Sequence, residues 1–163
     1  MNAIDMLTKQ HRQMEAALKA VAEADGAARA TLFTKAADTL MAHVLVEEQV
    51  FYPAVNAKRT EDILLESLEE HLSLKRILSD LVELPADAPN FEPKFHVLTE
   101  QAEHHHEEEE EKLFPKVKKL LSEEELDELG GRMAEAQAQL LAQEPRKLAP
   151  EQADDAAELD EAS

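Results

Sequence analysis

The chain of 163 residues has no cysteine and no tryptophan, only three glycines, and aromatic residues make up just 4 % of it. Without cysteine there can be no disulfide, thiolate metal site, iron–sulfur cluster or cysteine nucleophile. With few glycines, aromatics and β-branched runs there is little material for strands and hairpins, whereas Ala, Leu, Glu, Lys and Gln favour helices. Basic residues are also scarce: 17 Lys and Arg face 36 Asp and Glu, for a formal net charge of −19. Such acidity argues against nucleic acid or an anionic membrane surface as partner, since both require a basic patch, and makes cations the natural counterpart. No apolar run reaches the ~18 residues that would span a bilayer. The opening residues include Asp5, Lys9, Arg12 and Glu15 and cannot serve as the apolar stretch of a signal peptide. A cytoplasmic location is the expectation.

What the chain does contain is helical periodicity. Ile4, Leu7, His11, Met14, Leu18 and Val21 recur at steps of three and four, the spacing of one buried stripe. A second segment aligns Leu32, Ala36, Leu40, His43, Glu47 and Val50, and is expected to end or kink at Pro53, which has no N–H to donate. A third lines up Leu64, Leu68, His71, Leu74 or Lys75, Leu78 and Leu81. A fourth runs through Phe91, Phe95, Leu98, Ala102, His105, Glu109 and Leu113 to about Pro115 or slightly beyond it. Ser122 with Glu125 reads as a capping box opening a fifth helix, locally weakened by Gly130 and Gly131. The expected organisation is a bundle over 1–121, an appended helix over 122–143 and a tail over 144–163. That tail sets seven acids against two bases with almost no large apolar residue, and reads as disordered.

The chain also repeats itself. His43, Glu47 and Pro53 correspond to His105, Glu109 and Pro115 at an offset of 62, and Gln10-His11 corresponds to Glu70-His71 at an offset of 60. Two helical hairpins of one design in tandem predict an all-α, up-down-up-down four-helix bundle.

Residues i and i+4 of a helix lie about 5–6 Å apart on one face, so His43 with Glu47, and His105 with Glu109, can converge on cations. His11 and His71 join them from the facing helices. Four imidazoles and two carboxylates suit Fe, Mn or Zn rather than Ca or Mg, and six donors are too many for one tetrahedral zinc. Two metals sharing Glu47 and Glu109 would have two histidines each and positions left for a small ligand. Taken singly, a histidine in an apolar stripe is a hydrogen-bonded core residue. Four in phase on four helices, with two carboxylates that are costly to bury, call for a cation. The triple histidine is resolved by matching Pro53 to Pro115, which selects His105. His104 then points to solvent, His106 flanks the stripe as a supporting group or extra ligand, and His96 lies on the surface. Glu48 and Glu110 read as solvated or supporting carboxylates, and Tyr52 and Phe114 as core residues beside the Pro. A ferritin-like site would need Glu-x-x-His on two helices, and only Glu103–His106 has that spacing. The His-Glu-x-x-His of zinc peptidases is absent.

In the order of these motifs, with Glu-Glu pairs leading to Phe51-Tyr52-Pro53 and Phe114-Pro115, the chain resembles the hemerythrin-like HHE cation-binding family over about residues 3–120. The resemblance implies a four-helix bundle holding two iron ions, with His11 and His43 on one, His71 and His105 on the other, and Glu47 and Glu109 bridging. It implies a small diatomic or peroxide ligand such as dioxygen, nitric oxide or peroxide, for binding, sensing or detoxification, or else iron handling. One position departs: oxygen-carrying members have a second histidine four residues after the first on the third helix, and here that residue is Lys75. Sensing, iron handling or peroxide chemistry therefore gains on oxygen transport. The cysteine motif of the branch that repairs iron centres is absent. An oxygen- or peroxide-consuming di-iron enzyme and a metal-free helical interaction module are the competing expectations.

Overall fold

The structure, a computed structural model, describes residues 1–159, and these contain helices and turns but no strand. α1 spans Ala3–Glu23 and α2 spans Gly26–Val46, joined by a turn in which Gly26 takes a positive φ of 56°. α2 runs into a π-helical turn, Glu47–Phe51, and a last short helix, α3, Tyr52–Val55. The second hairpin repeats this plan: α4, Glu61–Glu83; α5, Phe91–Glu108; a π turn, Glu109–Leu113; and α6, Phe114–Leu120. α1 packs on α2 and α5, and α4 on α5 and α2, closing the four-helix bundle. α7, Glu123–Leu141, lies across α1 and α2. It opens with the expected capping box, in which the Ser122 hydroxyl accepts from the Glu125 N–H and the Glu125 carboxylate from the Ser122 N–H.

Histidines in the apolar stripes divide the core in two. One apolar cluster holds Met14, Leu18, Leu40, Leu74, Leu78, Phe91 and Phe95. The other holds Leu7, Phe51, Leu64, Leu68, Phe114, Leu126 and Met133. His11, His43, His71 and His105 form a polar layer between them, all buried.

Two expectations need correction. Helical backbone runs through both prolines, ending only at Val55 after Pro53 and at Leu120 after Pro115. Each lacks an N–H and crowds the carbonyl four residues back, and the turn before it widens, so that the Tyr52 N–H bonds to the Glu47 carbonyl and the Phe114 N–H to the Glu109 carbonyl, five residues back. The helix then continues. The acidic tail, expected to be disordered from Glu144, instead packs on the bundle over 144–159. It forms short 3₁₀ turns at Pro145–Leu148 and Pro150–Gln152. Pro145 and Ala149 are buried, Leu148 packs on the first core cluster, and Arg146 pairs with Asp38 of α2 at 2.9 Å. Arg76 of α4 donates to the Ala153 and Asp154 carbonyls. A few well-placed anchors hold a segment whose bulk composition is that of a solvated tail. Residues 160–163 lie outside the described residues.

Candidate metal centre

Each π turn begins on a glutamate of the sequence-predicted set. Glu47 and Glu109 enter the polar layer from α2 and α5, one helical turn after His43 and His105, and α1 and α4 bring His11 and His71 from the other side. The structure thus brings all six residues together, fully or almost fully buried. His11 Nε2 lies 3.2 Å from Glu109 Oε1, and Glu47 Oε1 lies 3.4 Å from His43 Nε2 and 3.1 Å from His71 Nε2. His105 Nε2 is 3.5 Å from Glu109 Oε1 and 3.7 Å from Glu47 Oε1. Donor atoms of His11, His43, Glu47 and Glu109 all fall within 4.8 Å of one another, as do those of Glu47, His71 and His105, so Glu47 belongs to both groups.

The four imidazoles are oriented alike. Each Nδ1–H donates at 2.8 Å to a neighbouring helix or π turn: His11 to Glu110, His43 to Gln10, His71 to Glu48 and His105 to Glu70. That tautomer leaves every Nε2 lone pair facing inward, the arrangement that metal-binding histidines share. Gln10 is held in turn by Gln137 of α7, its Nε2 donating at 2.8 Å, so the appended helix braces the centre. The partners follow the repeat. The residue before each α1/α4 histidine serves the next helix, and the residue after each glutamate serves the opposite hairpin.

The donor set fits a cation on two observations. His11 Nε2, His43 Nε2, Glu47 Oε2 and Glu109 Oε1 are buried without a hydrogen-bond partner, a state that costs about 1–3 kcal/mol per group unless something binds there. The Nε2 atoms of His71 and His105, both lone-pair bearing in this tautomer, stand 3.0 Å apart. A proton or a metal must lie between them.

Protonation follows the same crowding. Burial, then the Glu47 charge, pushes Glu109 up to about 7; burial raises Glu47 as well, but the surrounding imidazoles together with a hydrogen bond from Glu109 bring it well below the usual carboxylate range. Burial drives His43 down to about 3. His105 is raised well above its ordinary value against its burial by Glu109, Glu47 and Glu70, and carboxylates likewise raise His11 and His71.

Two residues contribute more than sequence reasoning gave them. His106 is 1 % exposed, its ring stacked on His11 at 4.0 Å, its Nδ1 unpartnered, and it shares a possible three-donor group with His11 and His43. Tyr52 is fully buried, donates its O–H to Glu109 Oε2 at 2.8 Å, and lies 3.3 and 3.4 Å from the His71 and His105 Nε2 atoms. By the offset of 62, His106 answers to Val44 and Tyr52 to Phe114, so the halves differ chemically. Departures from the repeat were the available signal. Lys75 is buried with its Nζ on Glu48 Oε1 at 2.8 Å. His104 and His96 remain on the surface, pairing with Glu70 and Glu100.

Among the described residues no helix is long and apolar enough to cross a membrane. The sequence pattern of the hemerythrin HHE cation-binding domain matches residues 2–117. The uncharacterized protein Rv2633c of Mycobacterium tuberculosis is 29 % identical over 137 residues, 82 % of this chain and 84 % of the relative, and the uncharacterized protein Mb2666c of Mycobacterium bovis matches equally. The crystal structure of an HHE cation-binding domain-containing protein from Mycobacterium kansasii, a homolog of Rv2633c, superposes with a TM-score of 0.79 at 27 % identity, covering 91 % of this chain and 92 % of that one. With its four-helix bundle and its inward-facing histidines and glutamates, this chain belongs to the hemerythrin HHE cation-binding domain family.

Proposed function

We propose that the protein holds two iron ions in this centre and binds or senses a small ligand there, dioxygen, nitric oxide or peroxide. His11 and His43 would hold one ion, His71 and His105 the other, and Glu47 and Glu109 both. The observation that carries the reading is the set of buried, unpartnered donor atoms facing inward from imidazoles whose outer nitrogens are all fixed. Imidazole and carboxylate suit iron, and also manganese or zinc. His106 adds a third imidazole beside His11 and His43, so the histidine that position 75 does not supply is present in the other half of the centre. Bound iron supplies electrons and open coordination positions for the small ligand.

The chain's own groups do the rest. Two apolar clusters exclude water on either side, and Tyr52 places an O–H at the His71–His105 half. Burial, then the Glu109 and Glu47 charges, raises that phenol well above its usual range, so it stays protonated and able to donate. A proton donor beside the ligand position favours a second reading in which peroxide or dioxygen is consumed rather than merely held.

The test is anaerobic ferrous loading, metal analysis, and exposure to dioxygen, nitric oxide and peroxide under optical spectroscopy. Two irons per chain and a ligand-dependent absorption change are expected. Absence of stoichiometric metal would leave the helical interaction module as the better reading. Continued peroxide turnover would favour the enzyme over the sensor.

A further inference from the structure

We propose that Lys75 is a positioning residue for one half of the centre: its ammonium pins the Glu48 carboxylate against His71 and so fixes the direction in which that imidazole faces. The inference rests on the metal-binding reading above.

Lys75 lies on α4 one turn after His71 and is 2 % exposed. A lysine that deep is costly unless its charge is met by a well-placed partner. Its Nζ donates to one oxygen of Glu48 at 2.8 Å, and the other oxygen of the same carboxylate accepts from His71 Nδ1 at 2.8 Å. The imidazole's inner nitrogen then faces Glu47 at 3.1 Å. Lys75 is thus one link removed from the donor atoms, in a chain of cation, carboxylate and imidazole.

The other half contains the same chain of groups built from different positions. His11 Nδ1 rests on Glu110, and Glu110 is gripped by the Arg12 guanidinium. By the offset of 60, Lys75 corresponds to Glu15 and Arg12 to Leu72, so neither cation is inherited from the repeat. The same order of groups thus occurs in both halves, built from unrelated positions, with the cation buried only at Lys75. Glu48 meets two groups, the His71 Nδ1–H on one oxygen and the Lys75 ammonium on the other, and the ammonium fixes the oxygen that the imidazole leaves free. Outer partners of this kind set ligand direction, and their loss costs about 10- to 100-fold in metal affinity.

The experiment compares wild type with Lys75→Met, which keeps the length and removes the charge, and with Lys75→Met/Glu48→Gln, which removes both buried charges, keeps a side-chain oxygen that can accept from His71, and guards against a single variant that fails to fold. In the metal-free proteins, NMR of ¹⁵N-labelled histidine should show a hydrogen-bonded His71 Nδ1–H in wild type that is lost in both variants. On titration with ferrous iron, wild type should take two ions per chain, and each variant should bind one of them about 10- to 100-fold more weakly with the other unchanged. Both ions bound with unaltered affinity and an intact His71 signal would overturn the role of Lys75. Wild type that takes up no metal would instead defeat the metal-binding reading, while the NMR comparison would still decide whether Lys75 orients His71.

Discussion

Every imidazole in the polar layer uses its outer nitrogen on a residue of another element, and this decides which tautomer the centre presents. The His-x-x-x-Glu pairs and their partners on α1 and α4 were legible because one helical face makes i and i+4 neighbours. The outer partners were not, since which of two adjacent glutamates meets which histidine depends on how the helices are set against each other. His106, expected as a supporting group or extra ligand, was legible only in part for a related reason. It lies about 100° around α5 from His105, at the edge of a buried sector that is itself that wide, and only the packing of α1 against α5 places it inside. Tyr52 was read as a core residue, which it is, but the reach of its hydroxyl is a matter of three dimensions.

Two outcomes follow at this scale. Tyr52→Phe should leave two metals per chain but destabilise the metal-free protein by about 1–3 kcal/mol, because buried Glu109 loses a donor; urea denaturation and metal analysis measure both. Metal uptake should release protons, since Glu109 titrates near 7 and His11, His71 and His105 are raised above their ordinary values. Apparent affinity should therefore fall as pH drops below about 7, checked by chelator competition across pH; an affinity that rises on acidification would contradict the protonation scheme.

At the scale of elements, the repeated π turns explain how two prolines can follow two site glutamates without ending their helices. Sequence periodicity assumes a constant angle per residue, and a turn of five-back hydrogen bonds breaks that assumption just where it falls, so the widening was invisible before the structure. Gly130 is a similar case. In sequence it reads as a weak point of α7, whereas in the fold it is the place where that helix touches the chain's start: a Cβ there would lie 2.2 Å from the Met1 carbonyl oxygen and 3.1 Å from the Ala3 nitrogen. Its neighbour Gly131 faces open space. Gly130→Ala should thus destabilise by about 1–3 kcal/mol through overpacking, while Gly131→Ala should stabilise by about 0.5–1 kcal/mol through helix propensity. Thermal unfolding of the two variants side by side tests the pair, and equal effects would mean that α7 does not dock as described.

Taken whole, the molecule is a duplicated hairpin with an unduplicated brace. The four-helix bundle was legible because its histidines, glutamates and prolines recur at constant offsets. The C-terminal segment was misread because composition averages over a stretch, while docking depends on a few contacts, here Pro145, Leu148, Ala149 and the Arg146–Asp38 pair. That pair is partly shielded, its side chains 20 % and 19 % exposed. Arg146→Ala should cost up to about 1 kcal/mol, lowering the unfolding midpoint by about 2–4 °C, with metal content unchanged. Calorimetry of metal-loaded protein provides the check.

The outer hydrogen bonds of the imidazoles join the bundle helices into a closed circuit: Gln10 of α1 to His43 of α2, Glu48 beyond α2 to His71 of α4, Glu70 of α4 to His105 of α5, and Glu110 beyond α5 back to His11 of α1. Three of these links join residues 23 to 35 positions apart, and the fourth spans 99. Because distant chain segments meet more slowly than near ones, the last link to form during folding should be the one between the start of the chain and the second π turn. Until it closes, His11 is unheld and Glu109 lacks its neighbour. A nascent or partly unfolded chain would therefore hold at most a damaged centre, and full metal loading would mark the molecules that have finished folding.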